Sequence, residues 1–247
     1  MKLTIIGTSH GAPEKNRICT AMLLEAGDNY YVIDTGSSVE DYMVKNGLDI
    51  EKIKAVFISH MHEDHVGKIF GLLKMMITYH GDMRASVFLP EEGSPEALKA
   101  WHSAMHGRFP ENRIPLHTTR EGEILFDDGT IKVSAVKTDH IKGFDTFAYV
   151  IEGEGKRVVL TGDLCDDLHD YPETILTEPC DAVVTELCHY RKSFGFIPGS
   201  IEKLMQSKTK KIIFGHIYPG GDEDMEKIRN TFPFETAIAS DGDTFEI

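Results

Sequence analysis

Largely apolar runs of about four to six residues recur along the chain, separated by polar residues, glycine and proline. Runs this short are strand-length, and they predict strands over 3–6, 21–24, 30–33, 55–58 and 86–89. Further strands are predicted over 131–136, 146–151, 157–160, 182–185, 211–214 and 244–247. Short turns at Gly27-Asp28-Asn29 and at 152–156 join neighbouring runs into antiparallel hairpins. Helical spacing follows Ser38, Asp64, Ser94, Gly199 and Asp222. After Asp64 it is clearest, with Val66, Ile69, Phe70, Leu73, Met76 and Ile77 on one stripe. Hairpins mixed with helices predict two sheets covered by outer helices, an α/β architecture. No Pro/Ser-rich linker or short repeat interrupts the pattern, so one domain over 1–247 is expected. The stretch 80–117 is the least regular, and packing or surface roles are expected for Trp101, His102, His106, Phe109 and His117.

Composition narrows the functional classes. The 247 residues are 41% hydrophobic and 27% charged, an ordinary globular balance. No apolar run is long enough to span a bilayer, and the first one stops at Gly7, too early for a signal peptide. A cytoplasmic location without membrane contact is expected. Cys19, Cys165, Cys180 and Cys188 have no CxxC spacing and read as free thiols. The net charge of −14 disfavours nonspecific attraction to nucleic acid. The short basic cluster Lys208-Lys210-Lys211 reads as a solvated loop.

Candidate chemistry concentrates in Ser59-His60-Met61-His62-Glu63-Asp64-His65, between a buried strand and a helix. In an extended loop His60 and His62 project to one side and can share a metal. Where the chain turns into the helix, Asp64 and His65 change direction toward a second. Imidazole nitrogen and carboxylate oxygen suit zinc or a similar divalent ion.

His-x-His-x-Asp-His after a strand resembles the signature of the metallo-β-lactamase superfamily, whose fold is an αββα sandwich of two mixed sheets flanked by helices. Ile6-Gly7-Thr8-Ser9-His10-Gly11-Ala12-Pro13 is similar to the glycine-rich first loop of its ribonuclease Z branch. Val32-Ile33-Asp34-Thr35-Gly36 is similar to the landmark whose aspartate supports the metal loop. The resemblance implies that His140 completes a first metal with His60 and His62. It implies that His216 completes a second with Asp64 and His65, and that Asp163 bridges both. His189 resembles a position that carries a catalytic histidine near the leaving group, with a structural loop role as the alternative. His10 is expected to hydrogen-bond within its loop, with a position facing the pocket as the alternative, and His80 and His169 to lie at the surface.

Two divalent ions are therefore expected, zinc first, with manganese, iron or nickel as alternatives. A bridging hydroxide would be the nucleophile, oriented by Asp64, and His189 would protonate the leaving oxygen. Two such ions with two aspartates and one hydroxide leave a net charge of about +1, which suits a singly charged phosphodiester. A small or cyclic diester is expected as substrate, and a homodimer is open. The alternatives are a lactone or ester hydrolase, a ribonuclease Z-like RNA endonuclease, and a non-catalytic metal-binding module.

Overall fold

The computed structural model describes residues 1–164, 177–187 and 199–247. The first half runs β1 (Lys2–Gly7), β2 (Ala21–Ala26), β3 (Asn29–Thr35), α1 (Val39–Lys45) and β4 (Ile53–Phe57). It continues with α2 (Glu63–Val66), α3 (Ile69–Lys74), β5 (Ser86–Leu89), α4 (Ser94–Ala104) and β6 (Leu116–Thr118). The second half runs β7 (Ile124–Asp127), β8 (Ile131–Lys137), β9 (Phe147–Gly153), β10 (Lys156–Leu160) and β11 (Ala182–Thr185). After these come α5 (Ser200–Leu204), β12 (Lys211–Phe214), α6 (Gly221–Ile228), β13 (Glu235–Ile238) and β14 (Asp243–Glu246).

Among the described residues these strands form two seven-stranded sheets, ordered β14-β1-β2-β3-β4-β5-β6 and β13-β12-β11-β10-β9-β8-β7. Each sheet has an antiparallel part and a parallel part, the parallel strands being β3–β4–β5–β6 in the first and β10–β11–β12–β13 in the second. The two halves thus repeat one topology, although the sequence shows no repeat of its own.

Alternation along β3 explains the layering. Tyr31 and Ile33 point inward with Leu24, Phe57, Tyr149 and Leu160, which fill the space between the sheets. Val32 points the other way, with Val39 and Met43 of α1 and Ile69, Leu72 and Leu73 of α3. Across the second sheet, Val159, Val183 and Phe214 meet Leu204 of α5 and Met225 of α6. Helices of this length are unstable alone in water, where about 12–15 residues are needed. Burial, at about 1.5–3 kcal/mol for each large apolar side chain, holds them on the sheets instead. The fold is the αββα sandwich.

Two local expectations change. Strands β6, β7 and β13, absent from the expected set, lie at sheet edges and are largely half-exposed, and their apolar runs are no longer than three residues. The helix expected after Asp64 is broken: α2 spans only Glu63–Val66, α3 starts at Ile69, and a π-helical turn follows over Met75–Tyr79. Lys68 N–H donates across the chain to Thr35 O at 2.8 Å instead of back along the helix. Gly36 is what permits this closeness, since a Cβ there would sit 1.6 Å from Asp64 O.

Candidate metal centre

The chemically interesting side chains gather at the C-terminal ends of strands and in the turns that follow them. Asp34 lies at the end of β3, and Ser59, His60 and His62 follow β4. Asp64 and His65 sit on α2, in the turn pinned against Gly36. From the second sheet come His140 after β8, Asp163 after β10, Glu186 after β11 and His216 after β12. Asp34 and His216 have left-handed backbone, φ 59° and 49°, a strained choice for residues other than glycine.

The side chains converge in two groups that share one carboxylate. His60, His62, His140 and Asp163 offer donor atoms within 4.8 Å of one another; so do Asp64, His65, His216 and, again, Asp163. Asp163 Oδ2 lies 3.6 Å from His60 Nε2, 3.7 Å from His140 Nε2 and 3.3 Å from His216 Nε2, while its Oδ1 is 3.1 Å from His65 Nε2. Asp64 Oδ2 is 3.3 Å from both His65 Nε2 and His216 Nε2 and accepts Gly11 N–H at 3.1 Å. All seven residues that the sequence pattern selected meet here.

The outward nitrogens show that this cluster fits metal ions. His65 Nδ1 meets Asp34 Oδ2 at 2.8 Å, His216 Nδ1 meets Glu186 Oε2 at 3.2 Å, and His140 Nδ1 meets Leu164 O at 3.2 Å. A proton on each outer nitrogen leaves the inner Nε2 with its lone pair facing the cluster. Despite their 3.1 Å separation, His65 Nε2 and Asp163 Oδ1 are too poorly aligned to hydrogen-bond, and both are buried. Buried polar atoms aimed at a common point instead of at each other are what a bound cation requires.

Electrostatics divides the two groups. Burial first, and neighbouring histidines second, push the His60 imidazole down to about 2, and burial lowers His62. These rings are neutral and ready to coordinate. At His65 burial opposes protonation, but Asp163 and Asp34 outweigh it and raise the ring well above its usual value. His216 is likewise raised to about 10: burial disfavours its charge, yet Asp163, Asp64 and Glu186 prevail. Asp163 is held well below the carboxylate range, because His216, His65 and His60 overcome the cost of its burial.

A cavity of about 250 Å³ opens over the cluster, with His10, Gly11, Ile141, Leu164 and Glu186 in its walls. His10, read from the sequence as a loop residue, faces this space with its ring centroid 4.6 Å from that of His216. Glu186 is the residue that sequence reasoning passed over: it accepts Leu164 N–H at 2.6 Å as well as meeting His216. Its signal was positional, a carboxylate directly after a parallel strand, as Asp163 is after β10. His189 lies outside the described residues, as do Cys165 and Cys188; Cys19 and Cys180 are free thiols.

An αββα sandwich whose strand ends gather histidines and aspartates around one cleft is the metallo-β-lactamase fold with a candidate metal centre. The fold matches that of the metallo-β-lactamase fold protein YhfI from Bacillus subtilis with TM-score 0.77 and 21% identity, covering 100% of this chain and 99% of that one. A diphosphatase from the PhnP family superposes with TM-score 0.72 at 18% identity, covering 100% and 97%. Over residues 1–231 the chain matches the family described as Anti-Pycsar protein Apyc1, and it belongs to that family. Ribonuclease Z from Lactiplantibacillus plantarum is 30% identical over 146 residues, 57% of this chain and 45% of that protein. The chain spans about half the length of the curated relatives it matches. No described helix is long and apolar enough to cross a membrane.

Proposed function

We propose that this chain is a dinuclear phosphodiesterase that hydrolyses a small or cyclic phosphodiester. The observation that carries the reading is Asp163, one carboxylate shared by two groups of three further candidate ligands. His60, His62 and His140 would hold one ion, Asp64, His65 and His216 the other, with Asp163 between them; zinc is the first candidate. When bound, such ions supply Lewis acidity toward a phosphoryl oxygen and acidify water toward neutral pH. Asp64 orients the attacking water, its Oδ2 already fixed by Gly11 N–H. Asp34 and Glu186, as acceptors of the Nδ1 protons, hold His65 and His216 in the tautomer whose Nε2 lone pair faces inward. His189, outside the described residues, is the proposed proton donor to the leaving oxygen.

Substrate size follows from charge. An RNA enzyme gains affinity by neutralising many phosphates. This chain carries −14, and Lys210 and Lys211 of its short basic cluster are engaged by Asp181 and Glu235. A small diester needs only the local centre and a fitted cavity. The proposal places the chain as one domain in the cytoplasm, acting on a small molecule, as monomer or homodimer.

The test is a screen of zinc-loaded protein against bis(p-nitrophenyl) phosphate, cyclic nucleotides, a lactone, a lactam and precursor tRNA. Diester turnover that changes little with added salt is expected. Efficient, steeply salt-sensitive tRNA cleavage, or activity confined to the lactone, would overturn the reading.

A further inference from the structure

His216 belongs to more than the dinuclear cluster. His10, Glu186 and His216 offer donor atoms within 4.8 Å of one another, a third group beside the two that share Asp163. All three line the cavity over the cluster, so a dissolved ion can reach them from solvent. Two imidazoles and one carboxylate make up a set that holds zinc with its fourth position open.

Spacing separates Glu186 from the other carboxylate that backs a candidate ligand. Asp34 Oδ2 stands 2.8 Å from His65 Nδ1, within the range of about 2.7–2.9 Å for a charge-assisted hydrogen bond. Glu186 Oε2 stands 3.2 Å from His216 Nδ1, beyond that range. Two ligands about 2.0–2.1 Å from one tetrahedral zinc lie about 3.3–3.4 Å apart, so this pair has nearly the spacing of zinc ligands. The residues are also held in place. Ser9 and Ile217 form a parallel bridge, His10 N–H donates to Ile217 O at 3.3 Å, and Ile217 N–H donates to Thr8 O at 2.7 Å. The loop of His10 is thereby tied to the residue after His216. Leu164 N–H donates to Glu186 Oε1 at 2.6 Å, which fixes the carboxylate with Oε2 toward His216.

We propose that His10, Glu186 and His216 form a further zinc site, weaker than the dinuclear pair, whose occupation by excess metal obstructs the cavity. The inference goes beyond the reading of the cluster as a two-ion centre and does not depend on which substrate is hydrolysed. The added ion takes the place of the His216 Nδ1 proton, which passes to solvent, while Nε2 stays directed at Asp64 and Asp163. One imidazole ring then serves an ion on each side. Repulsion between two cations across that ring makes the added site the weaker one, so it fills only when free zinc exceeds what saturates the pair. An ion in the cavity wall takes up space that a substrate needs, and excess zinc becomes a brake on turnover.

The experiment is equilibrium dialysis against graded free zinc, followed by elemental analysis, on wild type, His10→Phe and His10→Ala. His10→Phe keeps a ring beside that of His216, whose centroid lies 4.6 Å from that of His10, but offers no ligand nitrogen. Wild type should hold about two equivalents at saturation of the pair and about one more at higher zinc, and both variants should lose that last equivalent. Equal zinc content in wild type and variants at every concentration overturns the inference. The shared plateau then judges the two-ion reading separately: two equivalents leave it standing, and one sinks it as well. Zinc content reads the site whether or not a diester is turned over. Where bis(p-nitrophenyl) phosphate is turned over, the rate should fall past saturation in wild type only. A fall of the same size in both variants would overturn the brake.

Discussion

Asp34 Oδ2 lies 2.8 Å from His65 Nδ1, and the two side chains are only 1% exposed each. The same carboxylate accepts Ser59 N–H at 2.7 Å and the Ser59 hydroxyl at 2.9 Å. One buried group thus sets both the tautomer of a candidate ligand and the course of the loop that carries His60. Loss of such a partner typically costs about 10- to 100-fold in metal affinity. Asp34→Ala should show that loss in a zinc competition titration. Its buried Ser59 amide would also be orphaned, for about 1–3 kcal/mol of stability. Unchanged zinc affinity in a folded variant would remove Asp34 from this role.

Asp163 is expected to matter to both ions. Zinc-saturated wild-type protein should hold about two equivalents, as a two-metal site requires. Asp163→Ala should retain at most about one and lose diester turnover. Elemental analysis and a bis(p-nitrophenyl) phosphate assay read both outcomes, and near-normal values in the variant would discard the bridge.

The two groups should respond differently to pH. His65 and His216 are raised, His216 to about 10, so at neutral pH an ion must expel their protons before binding there. Affinity at that position should fall as pH drops and rise as pH climbs toward about 10. His60 and His62 are lowered, His60 to about 2, and have no proton to give up near neutrality. Calorimetry in buffers of different ionisation enthalpy near pH 7 should detect net proton release accompanying one of two zinc events. Equal release from both, or none, would contradict this division.

Gly36 tests the backbone contact beneath the site. An added Cβ would meet Asp64 O at 1.6 Å and Thr20 O at 2.9 Å, both backbone atoms. Forced overpacking costs about 1–3 kcal/mol. Gly36→Ala should lower stability by about that amount in a denaturant titration and weaken zinc binding, because Asp64 and His65 ride on the displaced turn.

Parts of this site were legible in sequence because they are local. His60, His62, Asp64 and His65 occupy one strand–loop–helix step, and His140, Asp163 and His216 each follow an apolar run that ends in a parallel or central strand. Glu186 was hidden by its neighbour His189, whose imidazole looks the more reactive group. The broken helix after Asp64 was equally unreadable, because Lys68 N–H pairs with Thr35, far back along the chain. Edge strands such as β6 escaped for want of burial: their sequences need satisfy only one side of a sheet.

The repeated topology of the two halves acquires a mechanical meaning at the cluster. His60, His62, Asp64 and His65 belong to the first half; His140, Asp163 and His216 belong to the second. Neither half alone can complete either group of ligands. Ions gripped there would rivet the sandwich shut along one rim, adding to the apolar filling between the sheets. A ligand that binds only the folded chain stabilises it by about 4 kcal/mol at a thousandfold excess over its dissociation constant. Thermal resistance would then track the metal supply, and a chelator that stripped the ions would take the chemistry and the clasp between the halves together.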